Sequence, residues 1–228
     1  MKLLYHVLNR GVDKRKVFVD GKDYIRFMHD LFVFNNKGRT ENLSYRIEQN
    51  QSIQSIDIRC QYIQKKRNLL VQIHAFCLMP NHYHMLVSPL AENGIARFMK
   101  KMNMGYAKYF NEKYKRSGAL WQGKYKSVPI QGDPHFSWIP YYIHFNPLDL
   151  VMPEWRQRGI QNPKEAETYL KTYRWSSHLD YLGEKNFPSL TQRDFYSEFF
   201  KGEGGYKKSI LETLKGFSVE TGGGVLLE

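Results

Sequence analysis

The sequence predicts an α+β fold in which helices pack against an antiparallel sheet. Three observations lead there. "LLVQIHAFCLM" and "HYHMLVSPL" are strand-like runs parted only by the turn dipeptide "PN" at 80–81, the arrangement of a β-hairpin. Residues 94–114 repeat their apolar side chains at helical spacing. A strand and a helix precede the hairpin, and after the second helix comes another strand–helix pair.

In order along the chain, "LLYHVLNRG" alternates as a strand and stops at Gly11. "DGKDYIRFMHDLFVF", Asp20 to Phe34, is a helix with Asp20 as N-cap. Residues 35–68 are polar and rich in Asn, Gln and Ser, and read as an insertion. After the hairpin, Gly94 to Tyr114 forms a helix. Its stripe is Ile95, Phe98, Met102, Tyr106, Tyr109 and Phe110, flanked by Arg97, Lys100, Lys101 and Lys108. "ALWQGKYKSVPI" is a strand or hairpin. "DPHFSWIPYYIHFN" is a helix capped by Asp133, opened by Pro134 and stopped by Pro147. Pro140 inside it removes a backbone donor and predicts a kink or a delayed start. From about residue 165 the pattern gives two or three short helices, and Gly222, Gly223 and Gly224 a flexible end.

Lys plus Arg number 34 against 22 Asp plus Glu, a net charge of +12, and 15% of residues are aromatic. Cations interleaved with flat rings suit single-stranded nucleic acid, since phosphates pair with the former and bases stack on the latter. Hydrophobic content of 42% supports a core in which most rings are buried. The apolar runs are too short to span a bilayer, and "MKLLYHVLNRG" has no secretory h-region or cleavage site. Cys60 and Cys77 are the only cysteines; no disulfide framework is implied, and a cytoplasmic location is expected.

In "LMPNHYHMLV", His82 and His84 are two apart on a strand and project from one face, with Tyr83 on the other. Two neutral imidazoles can ligate one ion and leave room for oxygen ligands, which suits Mg²⁺ or Mn²⁺ acting on a phosphate. Hydrogen-bonded or surface histidines are the commoner use of this spacing. In "YYIHFNP", Tyr142 and Asn146 are four apart on a helix and share a face. They offer a phenol that can act as a nucleophile and an amide oxygen that can complete a metal shell. The plainer alternative makes Tyr142 one more core ring.

"YHVLNRG", "HAFCLMPNHYHMLV", "ALWQGKYKS", "YYIHFNPL" and "WSSHLDYLG" occur in this order. Together they resemble the HUH single-tyrosine transposases, in particular the branch associated with repetitive extragenic palindromic (REP) sequences. The resemblance covers about residues 4–34 and 70–182. It implies a ferredoxin-like antiparallel sheet with helices on one face, in a catalytic domain over 1–160 that contains the 35–68 insertion. A C-terminal helical extension occupies 161–228. It also implies a metal-dependent single-stranded DNA endonuclease and strand transferase that works on hairpin DNA through a 5′-phosphotyrosine link, without ATP. The nucleophile falls on Tyr142, with the adjacent Tyr141 about 100° away in helix phase. The metal ligands fall on His82, His84 and Asn146, and the ion is Mg²⁺ or Mn²⁺. Expected backbone contacts are Arg10, Lys14, Arg15, Arg97, Lys100, Lys101, Lys124 and Lys126, with Trp121 and Tyr125 stacking bases. The sequence departs from the family in its long insertion, in Pro140, and in Asp149, where the motif carries Arg.

Two other readings compete. One is a hairpin-binding protein derived from a transposase but without catalysis. The other is a structural zinc site on Cys77, His82 and His84, with Cys60 or His74, although structural zinc favours closed sets of tighter paired spacing. The expected partner is single-stranded or hairpin DNA, with no membrane and no small-molecule cofactor. The extension would cover a dimer surface, which favours a monomer over a homodimer.

Overall fold

The structure is a computed structural model that describes residues 3–38 and 67–217. Most of the polar insertion, with Cys60, and the triglycine end lie outside the described residues. Four strands, β1 (Tyr5–Arg10), β2 (Val71–Met79), β3 (His82–Pro89) and β4 (Lys126–Pro129), interleave with α1 (Gly21–Phe34), α2 (Gly94–Lys113) and α3 (Gly132–Phe145). Every pairing is antiparallel and the sheet order is β2-β3-β1-β4, the ferredoxin-like βαββαβ topology. Asp20 caps α1 as expected, accepting from the backbone of Lys22 and Asp23, while the Asp23 carboxylate reaches back to close a capping box. Pro80 and Asn81 make the hairpin turn.

Both faces of the sheet are covered. Val7, Tyr83, Met85 and Val87 pack against Phe27, Met28 and Leu31 of α1 and Phe98, Met102 and Tyr106 of α2. Leu4, Ala75, Cys77 and Leu86 pack against Ile139, Tyr142, Ile143 and Phe145 of α3 and against the C-terminal helices. The helix pair α1 and α2 thus lies on one face as expected, and α3 with the extension roofs the other. This double cover explains why β2 reads as a nearly continuous apolar run instead of an alternating one.

After α3 the one-turn helix α4 (Trp155–Arg158) precedes the extension, which holds more helix than its sequence pattern suggests: α5 (Pro163–Thr172), α6 (His178–Tyr181), α7 (Asp194–Phe200) and α8 (Gly202–Gly216). A one-turn helix such as α4 or α6 is too short to display a period, and "GEGG" at the start of α8 reads as loop. Gly205 is required there by contact: a Cβ would sit 1.7 Å from the Phe200 carbonyl oxygen. Helix α3 starts at Gly132 with Gln131 as its N-cap, so Asp133 lies in the first turn, where its charge complements the helix dipole. The helix also continues through Pro140. The carbonyl of Phe136, which Pro140 cannot serve, accepts the Tyr196 hydroxyl of α7 at 3.4 Å. The extension therefore repairs the defect that the sequence alone presents.

A sealed polar network ties α3 to the extension. His144 Nε2 bonds Ser177 Oγ at 2.8 Å, and the Tyr206 hydroxyl bridges His144 Nδ1 at 2.7 Å and His178 Nδ1 at 2.8 Å. Burial, with a smaller contribution from His178, holds His144 well below the usual histidine range. Burial pushes His178 down to about 3, aided by the charge of Lys171. Among the described residues, no helix is long and apolar enough to cross a membrane.

Candidate active site

The register of the sheet assembles the site. His84 lies opposite Leu8 of β1 and Cys77 of β2, and His82 lies opposite Arg10 and Met79. Strand parity then sets His6, Leu8, Arg10, His82 and His84 on the face roofed by α3. The rings of His82 and His84 are 4.9 Å apart and nearly perpendicular. His82 Nδ1 bonds the Asn81 side-chain oxygen at 2.6 Å, and His84 Nδ1 bonds His6 Nε2 at 2.9 Å, the two rings stacked. His84 Nε2 is buried with no hydrogen-bond partner. Burial, then the neighbouring His82, His6, Arg156 and Arg10, drive the His84 pKa well below its ordinary value, so the imidazole is neutral at neutral pH.

Helix α3 brings Tyr142 onto this pair. Its ring centre is 5.6 Å from that of His84 and 5.6 Å from that of His6, edge-on to both, and the residue is 6% exposed. Tyr141, one helical step away, packs instead against Trp138, Phe145 and Phe200. Asn146 ends the helix fully buried. Its Nδ2 donates to the Tyr142 carbonyl at 2.7 Å and its Oδ1 accepts from Arg156 Nη2 at 3.0 Å. Cys77 is sealed beside His84 in the sheet, and burial pushes its thiol pKa well up, so it behaves as a small apolar residue. Among the described residues, no group of three or more His, Cys, Asp or Glu is arranged to hold a metal. No closed zinc set forms there.

A family model described as "Transposase IS200 like" matches residues 2–146. The chain belongs to this family. Transposases process DNA, the kind of polyanion that the charge of +12 anticipates. No curated protein matches the chain. A solved structure described as "Structure of the REP associates tyrosine transposase bound to a REP hairpin" is similar at 11% identity and a TM-score of 0.45, covering 82% of this chain and 83% of that one.

The basic residues of this IS200-like transposase divide by sheet face. Arg10, Lys124 and Lys126 line a cleft of about 310 Å³ with Leu8, Asn9 and Gln122, on the β1–β4 side of the histidines. Lys14 and Arg15 sit in the loop after β1, which meets the hairpin turn where Asn81 Nδ2 donates to the Lys14 carbonyl at 3.3 Å. Arg97, Lys100 and Lys101 belong to α2, which covers the opposite face. Arg97 and Lys101 also spend donors on the backbone oxygens of Lys37, Asn36 and Gly38. Trp121 is core rather than a stacking platform: 8% exposed, packed on Tyr83 and Tyr106, with its indole N–H donated to the Asn103 carbonyl. Tyr125 is half-buried against the same core. A tryptophan between basic residues has the composition of a base stacker, but its area makes burial the stronger demand.

Two members of the site escaped the sequence reading. His6 shares strand parity with Arg10, but its bond to His84 spans 78 positions and depends on register. Arg156 lies on the one-turn helix α4. Its only signal is Asp149, the acidic residue that recruits it.

Proposed function

We propose that this transposase cleaves and rejoins single-stranded or hairpin DNA through a 5′-phosphotyrosine link on Tyr142, assisted by Mg²⁺ or Mn²⁺ on His82, His84 and Asn146. The observation that carries the proposal is the packing of the Tyr142 ring edge-on to His84. The two imidazoles suit the ion, and Asn146, whose Oδ1 already accepts from Arg156, would ligate through the second lone pair of that oxygen. Each imidazole has its Nδ1 engaged by a protein partner, the arrangement that orients Nε2 toward a metal. The His84 Nε2 left without a protein partner would cost roughly 1–3 kcal/mol with nothing to bind. The neutral state of His84 is the one that coordinates.

When bound, the ion supplies Lewis-acid polarisation of a phosphate oxygen. The Tyr142 oxygen gives up its proton and attacks phosphorus, and the 3′ oxygen of the preceding nucleotide departs and is protonated. Attack by another 3′-hydroxyl releases Tyr142 and joins the strands, so no ATP is consumed. Arg10, Lys124 and Lys126 guide the backbone along their cleft, with Lys14 and Arg15 on the loop that follows β1. A recessed nucleophile, 6% exposed, favours an unpaired strand that can bend inward over a stiff duplex. Tyr142 lies against His84 of its own chain, which supports a site completed within one subunit and a monomeric enzyme. Residues 1–160 form the catalytic unit, within the REP-associated branch, and 161–228 brace α3 through Ser177 and Tyr206.

Incubating the protein with labelled hairpins from the DNA flanking its gene and Mn²⁺ is expected to give an SDS-resistant shifted band that EDTA abolishes. The burial of Tyr142 also suits the alternative of a non-catalytic hairpin binder, which would bind without metal and give no such band. His6 gives a separate prediction. His6→Phe keeps the ring but removes the bond that orients His84, and Mn²⁺ affinity measured by EPR titration is expected to fall by about 10–100-fold. Unchanged affinity in a folded variant would remove His6 from that role.

A further inference from the structure

We propose that Arg156 binds the scissile phosphate, its guanidinium aimed by Asp149 at the space beside Tyr142. The inference rests on the DNA-cleaving reading and adds a substrate contact to it. Asp149 Oδ1 accepts Arg156 Nε at 3.1 Å and the Trp155 indole N–H at 2.5 Å, while Asp149 Oδ2 accepts Nη2 at 3.1 Å. Nη2 also donates to Asn146 Oδ1 at 3.0 Å. The guanidinium carbon lies 4.9 Å from the centre of the Tyr142 ring and 4.5 Å from that of Trp155, so cation–π contacts hold it in place as well as bonds.

A guanidinium carries five N–H donors. Asp149 and Asn146 occupy Nε and Nη2, and the two hydrogens of Nη1 have no protein acceptor among the described residues. The side chain is 31% exposed, open enough for a ligand to reach. A fixed positive charge on Asn146, beside two imidazoles suited to a divalent cation, is repulsive unless an anion joins them. A phosphodiester satisfies both cations, and the planar fork of arginine matches its oxygens. Asp149 stands where the family's motif carries Arg. It supplies one from seven residues further along.

The test uses full-length protein and a REP-like hairpin with unpaired flanks. In a Tyr142→Phe background, where no chemistry occurs, adding Arg156→Met is expected to lower the magnitude of the slope of log Kd against log salt by about 0.7, the value for one phosphate contact on a single strand. With Tyr142 intact, Arg156→Met is expected to slow adduct formation at least 100-fold at saturating DNA and saturating Mn²⁺, so that any change in metal affinity does not enter the rate. Arg156→Lys, which keeps charge but not the fork, is expected to retain the slope and slow adduct formation about tenfold. It also serves if the Met variant does not fold. An unchanged slope and rate in these variants overturns the inference while a wild-type adduct leaves the cleavage reading standing. A reduced slope without any wild-type adduct supports the phosphate contact and overturns cleavage.

Discussion

Tyr142→Phe is expected to abolish the covalent protein–DNA adduct while leaving hairpin affinity within about twofold. The substitution removes one oxygen and keeps the ring. The edge contacts to His6 and His84 and the cation–π contact with Arg156 therefore persist. Loss of a covalent nucleophile costs activity on the order of 10⁴-fold or more, well beyond what repacking a preserved ring produces. Tyr141→Phe is the paired control. Its ring lies among Trp138, Phe145 and Phe200, so the adduct is expected at near wild-type rate. Gel analysis of both variants with Mn²⁺ decides the matter: an adduct that survives in Tyr142→Phe refutes the mechanism, and loss only in Tyr141→Phe transfers the role to its neighbour.

The second large effect is acid instability. His144 and His178 are buried and held neutral, with folded pKa values below the ordinary one, His178 at about 3. Above about pH 6.5 both are neutral whether folded or unfolded, and they contribute no pH dependence. Below it the unfolded chain takes up protons that the folded chain refuses, so stability falls by about 1.4 kcal/mol per pH unit for each histidine. At pH 5 His178 alone removes about 2 kcal/mol, a sizeable share of the 5–15 kcal/mol typical of a domain, and His144 acts in the same direction. In metal-free protein His84 acts in the same direction. Urea unfolding midpoints are expected to be flat from pH 8 to 7 and to drop steeply toward pH 5. A flat profile down to pH 5 would mean that these histidines are not held neutral by burial. Because the same network anchors α3, loss of DNA processing on mild acidification is expected to track unfolding of the extension.

Much of the framework was legible in the chain. The "PN" turn between two apolar runs, the Asp20 cap and the amphipathic stripe of α2 are local signals, set by residues within a few positions of one another. Together they yield the βαββαβ order. Parity placed His82 and His84 together, and helix phase separated Tyr142 from Tyr141. The extension was less legible, because one-turn helices and a glycine-rich helix start carry no period. Pro140 looked like a break only because its remedy, the Tyr196 hydroxyl, lies on another helix.

The contents of the site divide along the same line. Spacings of two and four showed only which side chains share a face, His82 with His84 and Tyr142 with Asn146, since strand and helix geometry fix those neighbours; the roles proposed for them come from the family resemblance. The bond of His6 to His84, the Arg156 clamp, the burial of Trp121 and the removal of Arg97, Lys100 and Lys101 to the far face follow from sheet register and layer order. Those depend on how the whole apolar surface is buried, a cooperative outcome that no short window of the chain encodes.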